Sequence, residues 1–144
     1  MSALKVFIDS DVVISSLISN TGAANLLINI NLPKKVNLYV SDISLIEIKT
    51  VLERLSIDTA KFKGIVNKFK ITKIKDSAKI ILTKYKSFVL DEKDSHILAG
   101  AVKSKSTFLV TYNLKHYKLN ELREFHNIVV LTPGNFIQYL RSVR

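Results

Sequence analysis

The chain has 144 residues, the size of one domain, and its 47% hydrophobic and 24% charged residues exclude disorder and low-complexity readings. With no cysteine, disulfides, zinc–thiolate sites and cysteine nucleophiles are excluded together, so a metal must sit on oxygen or histidine and a reducing cytoplasm is expected. Twenty-two basic residues against twelve acidic give a net charge of +10, which points to a polyanionic partner.

Leu4 to Ile8 is a short apolar run ending in Asp9-Ser10-Asp11, the pattern of a buried strand that runs out into a polar turn. Helical signals follow at Val12–Ile18 and Ala23–Ile30, broken by Asn20-Thr21-Gly22. Asn37–Val40 reads as a second strand. Ser41-Asp42 can cap the next helix, whose apolar positions Leu45, Ile48, Leu52 and Leu55 recur every three or four residues. A basic amphipathic helix is expected from about Asp58 to Phe69, a short strand at Ile71–Ile74 and a helix at Ser77–Tyr85. Asp91 caps a helix running to about Lys105. Thr107–Thr111 and Ile128–Leu131 read as strands, and Pro133 opens a last helix to about Arg141.

Strands alternate with helices throughout, and no linker or repeat divides the chain, so one domain over residues 1–144 is expected. Near-continuous apolar strands call for a mostly parallel sheet covered by helices on both faces. No apolar run approaches the roughly 18–20 residues of a membrane span, and the first strand begins too early for a signal peptide, so no membrane is expected among the partners. In parallel sheets ligands bind outside the carboxyl ends of the strands, at the switch in strand order. Polar residues just after strands are therefore the candidates for a site.

Asp9 follows the first strand directly and Asp11 lies two residues on; helix capping explains either one alone. Glu47 shares a helical stripe with Ile43 and Val51, an acid among apolar neighbours that needs a cation or a metal as partner. Asp91 and Asp94 stand three apart at a helix start, where they can cap. Asp94 also heads the inward stripe Ile97, Leu98, Ala101 and Val102. Thr111-Tyr112-Asn113 leaves a strand, and Asn113 offers a carbonyl ligand or an ordinary turn residue. Carboxylates gathered in one cleft repel each other unless a divalent cation neutralises them, and oxygen ligands suit Mg2+ or Mn2+.

Around these acids lies an uneven basic surface. Nine lysines stand between Lys61 and Lys86 against one acid, Asp76, and Lys61, Lys63, Lys68 and Lys70 are candidates for contacting nucleic-acid phosphates; solvated helix faces are an equally good reading. The aromatics Phe62, Phe69, Tyr85 and Phe88 interleave with the lysines and suit either base stacking or, at helical spacing, a core. His96 reads as a half-buried or solvated histidine, and His116 and His126 as residues of polar loops.

Four segments carry a family resemblance: Phe7-Ile8-Asp9-Ser10-Asp11-Val12-Val13, Ser44-Leu45-Ile46-Glu47-Ile48, Asp91-Glu92-Lys93-Asp94-Ser95-His96-Ile97-Leu98-Ala99, and Val110-Thr111-Tyr112-Asn113-Leu114-Lys115-His116-Tyr117. In order, spacing and total length they resemble the motifs of PIN-domain ribonucleases. The resemblance implies a three-layer α/β/α sandwich with a central, mostly parallel sheet of four to five strands, and a Mg2+- or Mn2+-dependent endonuclease acting on RNA. It implies Asp9, Glu47 and Asp94 as catalytic metal ligands, helped by Asn113, with Asp91, Asp11 and Thr111 in secondary places. Much of the family has an acid where this chain has Asn113, which removes one negative charge. Many small relatives are toxins held by an antitoxin protein, often as homodimers. Two other readings share these residues. Asp9-Ser10-Asp11-Val12-Val13 also resembles the nucleophile motif of haloacid-dehalogenase-type phosphatases, although Asp91 and Asp94 precede a long helix rather than following a late strand. A non-catalytic nucleic-acid- or protein-binding module on the same fold is the third.

Overall fold

A computed structural model describes residues 3–29 and 36–143. The expected Ile30 end of the second helix lies outside these residues. Five strands, β1 (Leu4–Ile8), β2 (Val36–Ser41), β3 (Phe69–Thr72), β4 (Phe108–Val110) and β5 (Val129–Leu131), form one sheet in the order β3-β2-β1-β4-β5. All four pairings are parallel, as the apolar runs require.

Side chains alternate across each strand and so feed two separate cores. Val6 and Ile8 of β1, Leu38 and Val40 of β2, and Phe108 and Val110 of β4 pack on one face. They are covered there by α1 (Ser10–Ile18), α2 (Ala23–Asn29), α3 (Asp42–Arg54), α4 (Thr59–Ile65) and α8 (Pro133–Ser142). Phe7 and Leu109 face the other way, under α5 (Ala78–Tyr85), α6 (Ser95–Lys103) and α7 (Leu119–His126). The result is the expected three-layer α/β/α sandwich. On the second face α6 lies so close to β1 that a β-carbon on Gly100 would overlap the Phe7 ring. Among the described residues, no single helix is long and apolar enough to cross a membrane.

Several expected elements shift. The basic helix ends at Ile65, and Phe69 enters β3 because its backbone pairs with Leu38. Phe62 and Phe69 are core residues nonetheless. The stripe on α3 stops at Leu52; Leu55 lies beyond the helix and is exposed. Asp91 caps a short 3-10 turn, Glu92–Asp94, and α6 begins only at Ser95. Residues 119–126 form α7, an unforeseen helix of eight residues whose apolar positions Leu119, Leu122 and Phe125 do recur every three residues, though only Leu122 is buried.

The chain runs outward from β1 through β2 to β3, then returns to the other side of β1 for β4 and β5. The order therefore switches between β1 and β4. There the Asp9 N–H donates to the Val110 carbonyl at 3.0 Å, so Asp9 and Thr111 leave the sheet side by side.

Candidate active site

Asp9 and Asp94 occupy the N-cap positions of α1 and α6, yet neither side chain caps its helix. Capping side chains do occur elsewhere: Ser41, Asp58, Ser77 and Thr132 accept from backbone N–H groups, and Asp91 caps its 3-10 turn by accepting from Lys93 at 3.0 Å. Capping thus accounts for the exposed Asp91, but not for Asp9 or Asp94, whose carboxylates are spent on other partners.

Asp9 is 7% exposed, and two hydroxyls converge on its Oδ2: Thr111 Oγ1 donates at 2.9 Å and Tyr117 at 2.8 Å. Thr111, wholly buried, is held in turn by the Asn113 N–H at 3.0 Å. Burial raises the Asp9 carboxyl above the usual range; the two hydroxyls oppose this, and the charges of Asp94 and Glu47 add to it. Asp11 Oδ2 accepts from the Tyr112 N–H and from Asn113 Nδ2, both at 3.0 Å. It thereby braces the turn after β4. Burial, then the charge of Asp9, pushes Asp11 up to about 7. Its buried Oδ1 has no hydrogen-bond partner among the described residues. Asn113 therefore turns its amide toward Asp11 and contributes no negative charge.

Glu47 Oε2 meets His96 Nε2 at 3.2 Å, and Asp94 Oδ2 meets His116 Nδ1 at 3.0 Å. The His96 contact holds Glu47 below its ordinary value; burial opposes it, while the nearby Ser10 hydroxyl and the His96 charge assist. Asp94 is raised by burial, with His116 countering and Asp91 reinforcing. Both pairs correct the sequence reading. His96 is half-buried as expected but grips an acid, and His116 has a carboxylate partner despite its polar surroundings. His126 belongs to α7 and packs edge-on against Phe88 at 4.8 Å.

Tyr117 went unrecognised as a site residue. It is buried on a bridge to Val89, and its phenol is raised by burial and by the surrounding acids. Only its place four residues after Asn113 hinted at the role; a tyrosine at a strand-like position otherwise reads as core.

Each of Asp9, Glu47 and Asp94 is thus anchored through one oxygen, leaving the other without a hydrogen bond among the described residues. Such anchoring orients carboxylates that ligate metals, carboxylate oxygens suit a hard divalent cation, and Asp94 and Glu47 both repel Asp9. Among the described residues no three histidine, aspartate or glutamate side chains stand close enough to share one ion. The three acids are neighbours that do not meet at a point. The basic candidates are separate: Lys61, Lys63, Lys68 and Lys70 are exposed on α4, the turn after it and β3, with Lys68 Nζ donating to Asn29 Oδ1 at 2.9 Å.

Solved structures share the fold. A toxin–antitoxin complex from Klebsiella pneumoniae is 18% identical with a TM-score of 0.63, covering 89% of this chain and 97% of its own. VapBC2 from Rickettsia felis, bound to a DNA fragment from their promoter, is 13% identical with a TM-score of 0.62 over 88% and 97%. DNA-bound VapBC from Salmonella typhimurium is 20% identical with a TM-score of 0.57 over 90% and 98%. No curated protein matches the sequence. The PIN domain family matches residues 5–115, from β1 through the turn after β4, a span that takes in Asp9, Asp11, Glu47, Asp91, Asp94, Thr111 and Asn113, and the chain belongs to that family.

Proposed function

We propose that the protein is a Mg2+- or Mn2+-dependent endoribonuclease and the toxin of a toxin–antitoxin pair. The observation that carries the reading is that Asp9 and Asp94, both at helix N-caps, leave those caps unmade and gather with Glu47 at the switch point between β1 and β4. The family match and the toxin–antitoxin neighbours support it.

Asp9, Glu47 and Asp94 would hold the cation. When bound, it lowers the pKa of a water and neutralises charge on the phosphoryl group in flight. Thr111 and Tyr117 fix Asp9, His96 fixes Glu47 and His116 fixes Asp94, so each acid keeps one oxygen free for the cation, and the three would have to draw closer to share it. Asp11 keeps the Tyr112–Asn113 turn in place. Asn113 lends no carboxylate, which favours one cation over two. Lys61, Lys63, Lys68 and Lys70 hold flanking phosphates of the RNA, and an antitoxin protein is the regulatory partner.

The test is cleavage of RNA with Mn2+ by the wild type and by Asp9→Asn and Asp94→Asn. Undiminished cleavage by either variant, or by the wild type in chelator, refutes the assignment. Trapping of a fluoroberyllate adduct on Asp9 would instead support the phosphatase reading.

A further inference from the structure

Beside the acids, α3, α5 and α6 enclose a cleft of about 390 Å3, within the range of small-ligand sites. Its floor is apolar, built from Ile43, Ile81 and Leu82; its rim carries one acceptor, Glu92, and one donor, Lys93. Both rim residues are exposed, and neither is in an ion pair among the described residues. The cleft adjoins the acid cluster in two ways. Ile43 lies one helical turn before Glu47 on α3, and His96, which grips Glu47, forms part of the wall. Ser95 is the neighbouring wall residue, and both it and His96 carry a buried polar atom without a partner among the described residues, Ser95 Oγ and His96 Nδ1.

Aliphatic walls, a donor and an acceptor contributed by adjacent residues, and a strongly basic chain around them match an apolar-faced heterocycle on a polyanion. We propose that this cleft is a nucleobase subsite, taking one base of single-stranded RNA splayed out beside the phosphodiester at the acid cluster. Such bases bind through their faces and edges once unstacked. Glu92 accepts from an exocyclic amino group, and Lys93 donates to the ring acceptor next to it, the edge that adenine and cytosine present. The RNA source rests on the nuclease reading above; binding of the base does not.

The experiment titrates AMP and CMP into the full chain in chelator, following the methyl resonances of Ile43, Ile81 and Leu82. Those methyls should shift. Ala78→Trp, at an exposed position on the mouth of the cleft, should weaken binding about tenfold, whereas Ile80→Trp, on the same helix outside the cleft, should not. With an RNA oligonucleotide, Ala78→Trp should raise KM and leave kcat in place. Unmoved methyls overturn the proposal, as does an Ala78→Trp variant that binds nucleotide like the wild type. So does an Ala78→Trp variant that changes only the oligomeric state, which would assign the cleft to a second copy of the chain. A protein that binds AMP here but cleaves no RNA rejects the nuclease reading and keeps the subsite; one that cleaves with Asp9 dependence yet fails the titration does the reverse.

Discussion

Asp9→Asn should make the cation-free protein more stable while abolishing its proposed chemistry. Both hydroxyls that reach Asp9 converge on a single oxygen, Oδ2. An asparagine can place its carbonyl oxygen there and direct its NH2 toward the acids, so no hydrogen bond is orphaned. The two bonds change from charge-assisted, about 1.5–3 kcal/mol each, to neutral, about 0.5–1.5 kcal/mol each. Against that loss stands the removal of a buried charge, a penalty of roughly several kcal/mol, and of its repulsion by Asp94 and Glu47. The sign follows from the raised Asp9 carboxyl: burial and repulsion outweigh the two hydroxyls, so the charged form is the costly one. A gain of about 1 kcal/mol or more is expected in chelator at neutral pH, roughly 3–4 °C in Tm for a chain of this size. Calorimetry in chelator and then with Mn2+ reads it: the wild type should gain stability with the cation and the variant should not. An Asp9→Asn protein that melts below the wild type in chelator refutes the reasoning.

Tyr117→Phe keeps the ring volume and deletes the 2.8 Å bond to Asp9, so urea denaturation should show a loss of about 1.5 kcal/mol that shrinks in the Asp9→Asn background, and metal affinity should fall. The carboxyl of Asp11 is raised from 3.8 to about 7, so the folded state holds its proton more tightly than the unfolded chain; the stability it contributes is present below about 4 and is lost as pH rises toward 7. Thermal melts of Asp11→Asn in chelator should therefore be flatter than the wild type across that window, and equal slopes would contradict the assignment. Gly100→Ala should cost about 1–3 kcal/mol by pressing the Phe7 ring, and pairing it with Phe7→Leu should recover part of the loss; an unchanged melting temperature would show that α6 can retreat from the sheet.

Most of the sandwich was legible because its signals are local. The near-continuous apolar strands and most of the capped amphipathic helices appear close to where the apolar pattern places them, and Val6, Phe7 and Ile8 sort to two cores by the alternation of side chains along a strand. What failed was also physical. The backbone of Phe69 joins a strand through pairing with Leu38, a contact far away in sequence, while α7 was overlooked although Leu119, Leu122 and Phe125 recur at helical spacing.

The sequence by itself determined the layers and the family, and it singled out Asp9, Glu47 and Asp94 as candidates from their places at a strand end, on an apolar stripe and at the head of one. Only the tertiary structure decided which acids are caps and which are not. Asp91 spends its oxygen on the backbone, whereas Asp94, three residues on, gives its own to His116. Nor could spacing reveal that Tyr117 and Thr111 share one oxygen of Asp9, because those hydroxyls lie 108 and 102 residues away and meet it only when β1 and β4 pair. Capping is a contact within one turn and leaves a local signature; a candidate site drawn from four segments is held by long-range contacts that the order of strands creates.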